Sequence, residues 1–152
     1  MRVYADTSVF GGVFDEEFAP PSRAFFERVR RKRFELVLSP VVAGEITEAP
    51  AAVRRLFDEI IQLAEVTAVS EAAIRLQEGY IGAGIVRPKH STDALHVAQA
   101  TVAGCRVIVS WNFKHIVHFA KIPLYNAVNV LQGYGAIAIH SPQEVVADEE
   151  EV

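Results

Sequence analysis

Short apolar runs alternate along the chain with longer stretches in which apolar residues recur at helical spacing. Apolar runs bounded by polar, glycine or proline residues are typical of strands, and a spacing of three or four residues is typical of amphipathic helices. The predicted strands are 2–5, 34–38, 65–69, 106–110 and 136–139. The predicted helices are 22–33, 40–49, 51–64, 71–82 and 93–103.

Strands that alternate with helices predict an α/β fold whose central sheet is mostly parallel. Ligands bind to such sheets beyond the carboxyl ends of the strands. Two polar segments follow predicted strands at such ends: 6–8 (Asp-Thr-Ser), which we interpret as a turn, and 110–112 (Ser-Trp-Asn). A loop is expected next, between the glycine pair at 11–12 and the proline pair at 20–21.

Oxygen-bearing side chains interrupt apolar surroundings at four positions. Asp6 follows the first strand, and Glu45 lies in an otherwise apolar helical turn. Asp93 begins a mostly apolar helix, and Asn112 follows a buried strand. Carboxylates that share a site repel one another unless a cation lies among them, and oxygen ligands suit hard cations such as Mg²⁺ or Mn²⁺. The pattern therefore favours a metal site with Asp6, Glu45 and Asp93 as ligands.

Each of these residues also has a purely structural interpretation. Asp6 could end its strand in an Asx turn, and Asp93 could be a charge that is favourable at a helix start. Glu45 could be a solvated helix residue, and nearby Glu48 competes for its role. Asn112 could cap a short helix after its strand. The interpretation as a site depends on all four residues occurring together in this order.

Four segments of the chain together resemble the PIN-domain ribonucleases, and within them the VapC-like toxins of type II toxin–antitoxin pairs. The segments are 6–8 (Asp-Thr-Ser), 41–46 (Val-Val-Ala-Gly-Glu-Ile), 92–98 (Thr-Asp-Ala-Leu-His-Val-Ala) and 110–115 (Ser-Trp-Asn-Phe-Lys-His). The resemblance extends from Val3 to about Pro142. It implies a three-layer α/β/α sandwich and metal-dependent endonucleolytic cleavage of RNA, with Mg²⁺ or Mn²⁺ as cofactor.

The resemblance also implies roles for individual residues. The catalytic positions would be Asp6, Glu45, Asp93 and Asn112, and the first three would bind the metal. The hydroxyl group that supports the first acid would belong to Thr7 or Ser8. His96 lies three residues after Asp93 and so on the same helix face. It could contact the site, although a hydrogen-bonded structural histidine is the simpler interpretation, and the same applies to His115.

Asn112 departs from the commonest pattern of this family, which has aspartate at the fourth position. Asparagine brings no charge, so the site has three carboxylates and binding of a second metal ion is weaker. Asparagine is nevertheless usual in the sub-group of this family that has a Trp-Asn-x-x-His segment. An alternative function is therefore a catalytically weak PIN-like domain that binds RNA or protein. A metal-dependent phosphatase would need a second aspartate two residues after Asp6, and the chain has Ser8 there.

Length and composition bound the remaining possibilities. The 152 residues favour one domain, 1–145, followed by an acidic tail, 146–152. The net charge is -4, and without the four tail acids 15 basic and 15 acidic residues remain. The body is therefore neutral and does not argue against an anionic partner such as RNA. The basic run 28–33 could attract RNA phosphates, or it could be the solvated end of a helix.

The expected location is cytoplasmic. No apolar run approaches the roughly 18 residues of a membrane-spanning helix, so we expect no membrane partner. The single cysteine, Cys105, excludes an internal disulfide and fits a reducing compartment. The resemblance further implies a small antitoxin protein as a partner, and we expect a homodimer.

Overall fold

A single parallel sheet organises the molecule. The computed structural model describes the backbone of residues 1–150 and the side chains of residues 1–147. The strands are β1 (Arg2–Ala5), β2 (Glu35–Leu38), β3 (Glu65–Val66), β4 (Val107–Val109) and β5 (Ala138–His140). Their order across the sheet is β3-β2-β1-β4-β5, and every neighbouring pair is parallel. The predicted α/β class is confirmed.

Within residues 1–150, eight α-helices form two layers that enclose the sheet. They are α1 (Thr7–Gly12), α2 (Ala19–Arg30), α3 (Pro40–Ile46), α4 (Ala51–Ile60), α5 (Glu71–Gly82), α6 (Ser91–Val102), α7 (Ile122–Leu131) and α8 (Pro142–Glu150). Short 3₁₀ turns lie at Ile61–Leu63 and Pro88–His90. Helices α1 to α4 and α8 contact one another, and α5 contacts α6 and α7. The predicted three-layer α/β/α sandwich is therefore confirmed.

The central strands are buried on both faces. In β1, Val3, Tyr4 and Ala5 are completely inaccessible, as expected for a parallel strand between two helical layers. The chain leaves β1 towards β2 on one side and later returns to β4 on the other. Parallel sheets bind ligands at the carboxyl ends of strands where the order reverses in this way. The fold thus brings the end of β1 and the end of β4 to one functional edge.

The turn predicted at 6–8 is wrong, because a helix begins there. Residues Thr7–Gly12 form helix α1, and Asp6 is its N-cap because its side chain accepts from the backbone N–H of Ser8. An N-cap satisfies an amide that the first helical turn leaves unpaired, so the polar segment begins a helix instead of forming a turn. Helix α2 begins at Ala19, before the predicted start at Ser22, because proline is favourable in the first turn of a helix.

Glycine is required at the end of α1. A Cβ atom on Gly12 would lie 2.5 Å from Ser22 Oγ and 2.6 Å from the indole nitrogen of Trp111, whereas a Cβ on Gly11 would meet nothing within 4 Å. The Trp111 indole donates to Ser22 Oγ over 2.8 Å and stacks on Phe18. This close approach fixes the segment that follows β4 against α1 and α2.

The C-terminal part differs most from expectation. Pro123 lies in the first turn of α7, a helix that the sequence patterns did not predict. Strand β5 is followed by α8, which extends through residue 150 and so includes most of the predicted tail. The last part of that tail, 151–152, lies outside the described residues. No helix within the described part of the chain has the length and apolar character needed to cross a membrane.

Candidate functional site

Asp6 is fixed at the carboxyl end of β1. Its backbone N–H donates to the carbonyl of Val109, which ties the ends of β1 and β4 together. Its Oδ1 accepts from the backbone N–H and the hydroxyl of Ser8, at 3.1 and 2.5 Å, and its Oδ2 accepts from the Ser110 hydroxyl at 2.6 Å. Only 4% of the residue is exposed. The carboxylate therefore has a single orientation at the functional edge.

The surroundings of Asp6 oppose its ionisation. Burial raises the pKa of Asp6, and the nearby charge of Glu45 raises it further. The positive charge of His96 and the hydrogen bonds from Ser110 and Ser8 act in the other direction but do not outweigh burial. A buried carboxylate beside another carboxylate is stabilised by a cation, as the sequence pattern suggested.

Contacts with Thr7 and His96 hold Glu45 near the Asp6 carboxylate. Its Oε1 accepts from the Thr7 hydroxyl at 2.8 Å and is 2.6 Å from His96 Nε2. Burial works against its ionisation, but the hydrogen bonds and charge from His96 and Thr7 together lower the pKa of Glu45 below its ordinary value. Glu45 is therefore an ionised partner at the same edge, held by residues of α1 and α6.

His96 joins Glu45 to the core. Its Nδ1 lies 2.8 Å from the Tyr4 hydroxyl, which lies 2.8 Å from Ser39 Oγ. We call the series Glu45–His96–Tyr4–Ser39 the buried relay, since His96, Tyr4 and Ser39 are buried and Glu45 is its exposed end. An ionised carboxylate can only accept, so His96 Nε2 donates to Glu45. His96 thus has the structural role considered from the sequence, and through it orients a candidate metal ligand.

Ser39 does not cap its helix, although serine is a favourable N-cap residue. It occupies the N-cap position of α3, but its side chain makes no capping hydrogen bond. The hydroxyl contacts Tyr4 instead. A buried tyrosine hydroxyl without a partner is costly, so its hydrogen bonds take precedence over a helix cap that Pro40 already favours at N1.

Asp93 belongs to a different group of side chains. Its Oδ2 lies 4.0 Å from His90 Nδ1, and the rings of His90 and His115 stack with their centroids 3.9 Å apart. One ligand atom from each of these three residues lies within 4.8 Å of the others. Among the side chains that the structure describes, no other three His, Cys, Asp or Glu residues satisfy this condition. The sharing of one ion by Asp6, Glu45 and Asp93 remains a prediction.

The donor atoms nevertheless suit a hard cation. A carboxylate oxygen has two lone pairs, and Asp6 Oδ2 uses one of them on Ser110. Both hydrogen bonds to Glu45 involve Oε1. The second lone pair of Asp6 Oδ2 and the Oε2 atom of Glu45 are oxygen donors of the kind that Mg²⁺ and Mn²⁺ prefer.

Asn112 organises the loop after β4. Its Oδ1 accepts from the backbone N–H of His115 at 2.9 Å, and its own N–H donates to Ser110 Oγ. No helix forms in the described segment between β4 and α7, so Asn112 closes a turn and does not cap the short helix considered from the sequence. Its function as a fourth catalytic position remains a prediction.

Two substitutions of Asn112 separate its role in the turn from metal binding. Asn112→Ala should destabilise the protein by about 1 kcal/mol, the usual contribution of one hydrogen bond. Asn112→Asp should have little effect, because aspartate accepts from backbone amides in turns as asparagine does. Urea unfolding with chelator and with saturating Mn²⁺ measures both. If Asn112→Asp destabilises in chelator and stabilises in Mn²⁺, Asn112 faces a bound ion.

The sequence interpretation missed His90 and Ser110 as members of this region. His90 lies three residues before Asp93, which is the same helical spacing as His96 on the other side, and that spacing was the available signal. Ser110 was placed at the end of a predicted strand and in the polar segment 110–112, but it was given no role of its own. Ser110 directly follows the last residue of β4, and there its hydroxyl donates a hydrogen bond to Asp6.

The basic run 28–33 is engaged in ion pairs. Arg30 pairs with Glu59 and Glu27, and Arg31 pairs with Glu27. The run forms the end of α2 and leads into the amino end of β2, whereas Asp6 lies at the carboxyl ends of the strands. Because the run lies at the opposite end of the strands from Asp6, its interpretation as the solvated end of a helix is favoured over an RNA contact.

Comparisons with known proteins locate the fold. No protein-family model and no curated protein matches the sequence. A chain of VapBC2 from Rickettsia felis, solved bound to a DNA fragment from their promoter, is 13% identical with a TM-score of 0.60, over 93% of this chain and 98% of that one. A chain of FitAcB from Neisseria gonorrhoeae is 11% identical with a TM-score of 0.59, over 92% and 97%. A chain of FitAB bound to an IR36 DNA fragment is 11% identical with a TM-score of 0.59, over 92% of this chain and 94% of that one.

At these identities the likeness concerns the arrangement of the backbone. It extends over nearly the whole of each compared chain, so it concerns a complete domain and not a shared sub-structure. The sheet order and the helical layers described above are thus those of a known fold. The chain has a PIN-like α/β/α fold of the kind found in the VapBC2 and FitAB proteins, and the resemblance to VapC-like PIN domains is confirmed at the level of the fold.

Proposed function

We propose that the chain is a metal-dependent endoribonuclease that hydrolyses RNA phosphodiesters and serves as the toxin of a toxin–antitoxin pair. The observation that carries this proposal is the pair of carboxylates at the functional edge. Asp6 is buried and oriented by Ser8 and Ser110, and Glu45 is ionised and oriented by His96. Two fixed carboxylates at the switch point of a parallel sheet are suited to a divalent cation and a phosphate.

Asp6, Glu45 and Asp93 would hold the cation, which we propose to be Mg²⁺ or Mn²⁺. When bound, the ion supplies a Lewis acid that neutralises phosphoryl charge and lowers the pKa of a bound water. The residues of this chain orient the ligands. Ser8 and Ser110 hold the Asp6 carboxylate, and His96 and Thr7 hold that of Glu45, so that neither has to reorganise when substrate arrives.

Chelation tests the activity. RNA cleavage by the purified chain should disappear in excess EDTA and return when Mg²⁺ or Mn²⁺ is added, because the carboxylates alone cannot stabilise a developing negative charge. A fluorophore-labelled RNA pool, resolved on a denaturing gel, measures endonucleolytic products. A parallel reaction with single-stranded DNA tests whether cleavage is limited to RNA. Undiminished cleavage in excess chelator contradicts the proposal.

A small antitoxin protein is the partner that this function requires, and we propose that the toxin forms a homodimer. The solved structures that share the fold are VapBC2 and FitAB assemblies, which supports a protein partner. Exposed apolar residues support protein contacts as well: Phe119 is 94% exposed, and Leu131 at the end of α7 is 85% exposed. Size-exclusion chromatography with light scattering measures the dimer.

A catalytically weak PIN-like domain that binds RNA or protein is the second candidate. Two observations favour it: Asn112 Oδ1 accepts the His115 amide, and Asp93 lies beside His90 instead of completing a three-carboxylate group with Asp6 and Glu45. Such a domain would bind labelled RNA or a protein without cleaving RNA under any metal condition. Cleavage that depends on Mg²⁺ or Mn²⁺ contradicts it.

A further inference from the structure

We propose that a basic pocket beside the proposed cation site binds a phosphate group of the RNA backbone next to the phosphodiester that is cleaved. The pocket has a volume of about 300 Å³ and is lined by Arg87, Lys89 and Lys121 together with His90 and His115. We call it the basic pocket. The inference deepens the proposed function and rests on it for the identity of the ligand as RNA.

The basic pocket lies at the carboxyl edge of the sheet. His115 and Lys121 belong to the segment that follows β4. Helix α6 leads into the amino end of β4, so its own start, with His90 directly before it, lies at the carboxyl ends of the strands. Asp93 Oδ2 is 4.0 Å from His90 Nδ1. Because Asp93 is a proposed cation ligand, an RNA chain with one phosphate at the cation has a neighbouring phosphate within reach of the basic pocket.

The basic pocket carries positive charge that the protein does not neutralise. Arginine and lysine are cationic at neutral pH, and none of the described residues that line the pocket is acidic. Arg87 and Lys89 are exposed, and neither forms an ion pair or a side-chain hydrogen bond with a described residue. Arg2 and Arg30, by contrast, pair with glutamates. A concave surface lined by charge of one sign attracts ligands of the opposite sign, so the pocket favours an anion.

Lys121 is held at the wall of the basic pocket. Its ammonium donates to the carbonyl of Ile85, and Ile85 is a core residue. An ammonium group has three N–H donors, so two of them stay available to the oxygens of a bound anion. A lysine that the fold already holds in place loses less side-chain freedom when an anion binds.

The backbone that carries Arg87 and Lys89 is fixed on both sides. Gly84 has a φ of +76°, which glycine adopts readily and which turns the chain sharply after α5. The buried side chain of Ile85 then anchors the segment in the core. The 3₁₀ turn Pro88–His90 follows and leads directly into α6. The two cations are therefore solvated side chains on a backbone of defined position.

An RNA backbone suits the basic pocket because it carries a negative charge at every nucleotide. Contacts from arginine and lysine to such phosphates supply affinity that does not depend on base sequence. The cations of the pocket come from two separate segments, 87–89 and 121, so no basic run in the sequence indicated them. The run that the sequence did indicate, 28–33, lies at the opposite end of the strands.

RNA binding in excess chelator tests the basic pocket without cleavage. Fluorescence anisotropy measures the affinity of the full-length chain for a labelled single-stranded RNA over a range of KCl concentrations, and a denaturing gel checks that the RNA stays intact. Arg87→Gln and Lys89→Gln should each weaken binding about tenfold at low salt, the usual effect of losing one hydrogen bond to a charged group. Each should also reduce the slope of log affinity against log KCl by about 0.7. Both side chains are exposed, so circular dichroism should show an unchanged fold.

Arg106→Gln is the matched control for Arg87→Gln. Arg106 is an exposed arginine directly before β4, at the opposite end of the strands, and its substitution removes the same charge. It should leave both the affinity and the salt slope unchanged. Arg87→Lys keeps the charge and should keep the salt slope. Equal losses in Arg87→Gln and Arg106→Gln would reveal a general effect of net charge and overturn the basic pocket.

Two competitors distinguish RNA from other anions. Inorganic phosphate should displace the RNA only at far higher concentration, because a single phosphate lacks the other contacts of a polynucleotide. Phosphate that binds through Arg87 in a chain whose RNA affinity does not depend on Arg87 overturns the assignment to RNA. A glutamate decapeptide should bind more weakly than RNA of the same length, and a peptide that binds equally well through Arg87 and Lys89 overturns it too.

The two proposals fail in different ways. RNA binding that is salt-sensitive and is lost in Arg87→Gln, in a chain that cleaves no RNA with any divalent ion, supports the basic pocket as an RNA-binding site and contradicts the nuclease. Cleavage that depends on Mg²⁺ or Mn²⁺, with the same KM for RNA in wild type, Arg87→Gln and Lys89→Gln, supports the nuclease and overturns the basic pocket.

Discussion

Asp6→Asn should reduce RNA cleavage at least about 100-fold, since even residues that merely orient metal ligands are worth 10–100-fold. The same substitution should maintain or raise the stability of the metal-free protein. Asparagine keeps the shape and the Ser8 contacts of Asp6 but removes a buried charge. Initial cleavage rates and thermal unfolding in chelator measure the two effects. In cells, the wild-type chain should slow growth and Asp6→Asn should not.

The stability difference should depend on pH in a defined direction. Burial raises the pKa of Asp6, so its contribution to stability is present below the unfolded pKa and is lost as pH rises through the folded pKa. In the metal-free state, the advantage of Asp6→Asn over wild type should therefore grow from acidic towards neutral pH. Saturating Mn²⁺ should reverse it, because an ion that binds only the folded wild type stabilises that protein.

Asp15→Asn is the matched control for Asp6→Asn. Asp15 Oδ1 accepts from the backbone N–H two residues later, at Glu17, which is the same local geometry as Asp6 with Ser8. Asp15 is exposed, so its substitution should change neither cleavage nor stability. If Asp6→Asn lowers the melting temperature at every pH and leaves cleavage intact, Asp6 is only a helix cap.

His96→Ala should destabilise the protein by about 2–5 kcal/mol, the largest stability effect that we expect from a single substitution. The side chain is buried, and its removal leaves a cavity and breaks the buried relay between Tyr4 and Glu45. His96→Phe should cost about 1–3 kcal/mol, because it fills most of the volume but leaves the hydrogen bonds unmade. Urea unfolding in metal-free buffer measures both values.

A second readout separates the orienting role of His96 from its packing. His96 lowers the pKa of Glu45, so either substitution should raise that pKa, which carbon-detected NMR of the glutamate carboxyls can follow. His140→Ala, at a half-exposed histidine that also pairs with a glutamate, should change stability by no more than about 0.5 kcal/mol. An unchanged Glu45 pKa in His96→Phe would limit His96 to a packing role.

The sequence by itself determined the features that depend on neighbouring residues. The apolar runs located all five strands to within a few residues. The helix start predicted at 71 and the helix end predicted at 103 agree with the structure to within one residue, because Ser70 caps α5 and Gly104 follows α6 with a φ of +72°. Such signals are local, because a helix start depends on a hydrogen bond to an amide two or three residues away. The order of the acidic segments likewise pointed to the PIN-like fold.

Local patterns were insufficient where a residue had two possible partners. The segment after Asp6 could form a turn or a helix, and the packing of Gly12 against Trp111 favours the helix. Ser39 could cap α3 or bind Tyr4, and the buried hydroxyl decided the outcome. In both places a contact with a distant part of the chain outweighs the local preference.

Only the tertiary structure decided which functional side chains meet. Glu45 and His96 are 51 residues apart, and their contact depends on how the helices after β2 and before β4 cross the sheet. Asp93 is directed to His90 and His115 because α6 begins beside the loop that Asn112 organises. Residue type and order specify which chemistry is available, but the sheet order fixes which strand ends and helix starts are neighbours. The grouping of the carboxylates and histidines follows from that arrangement.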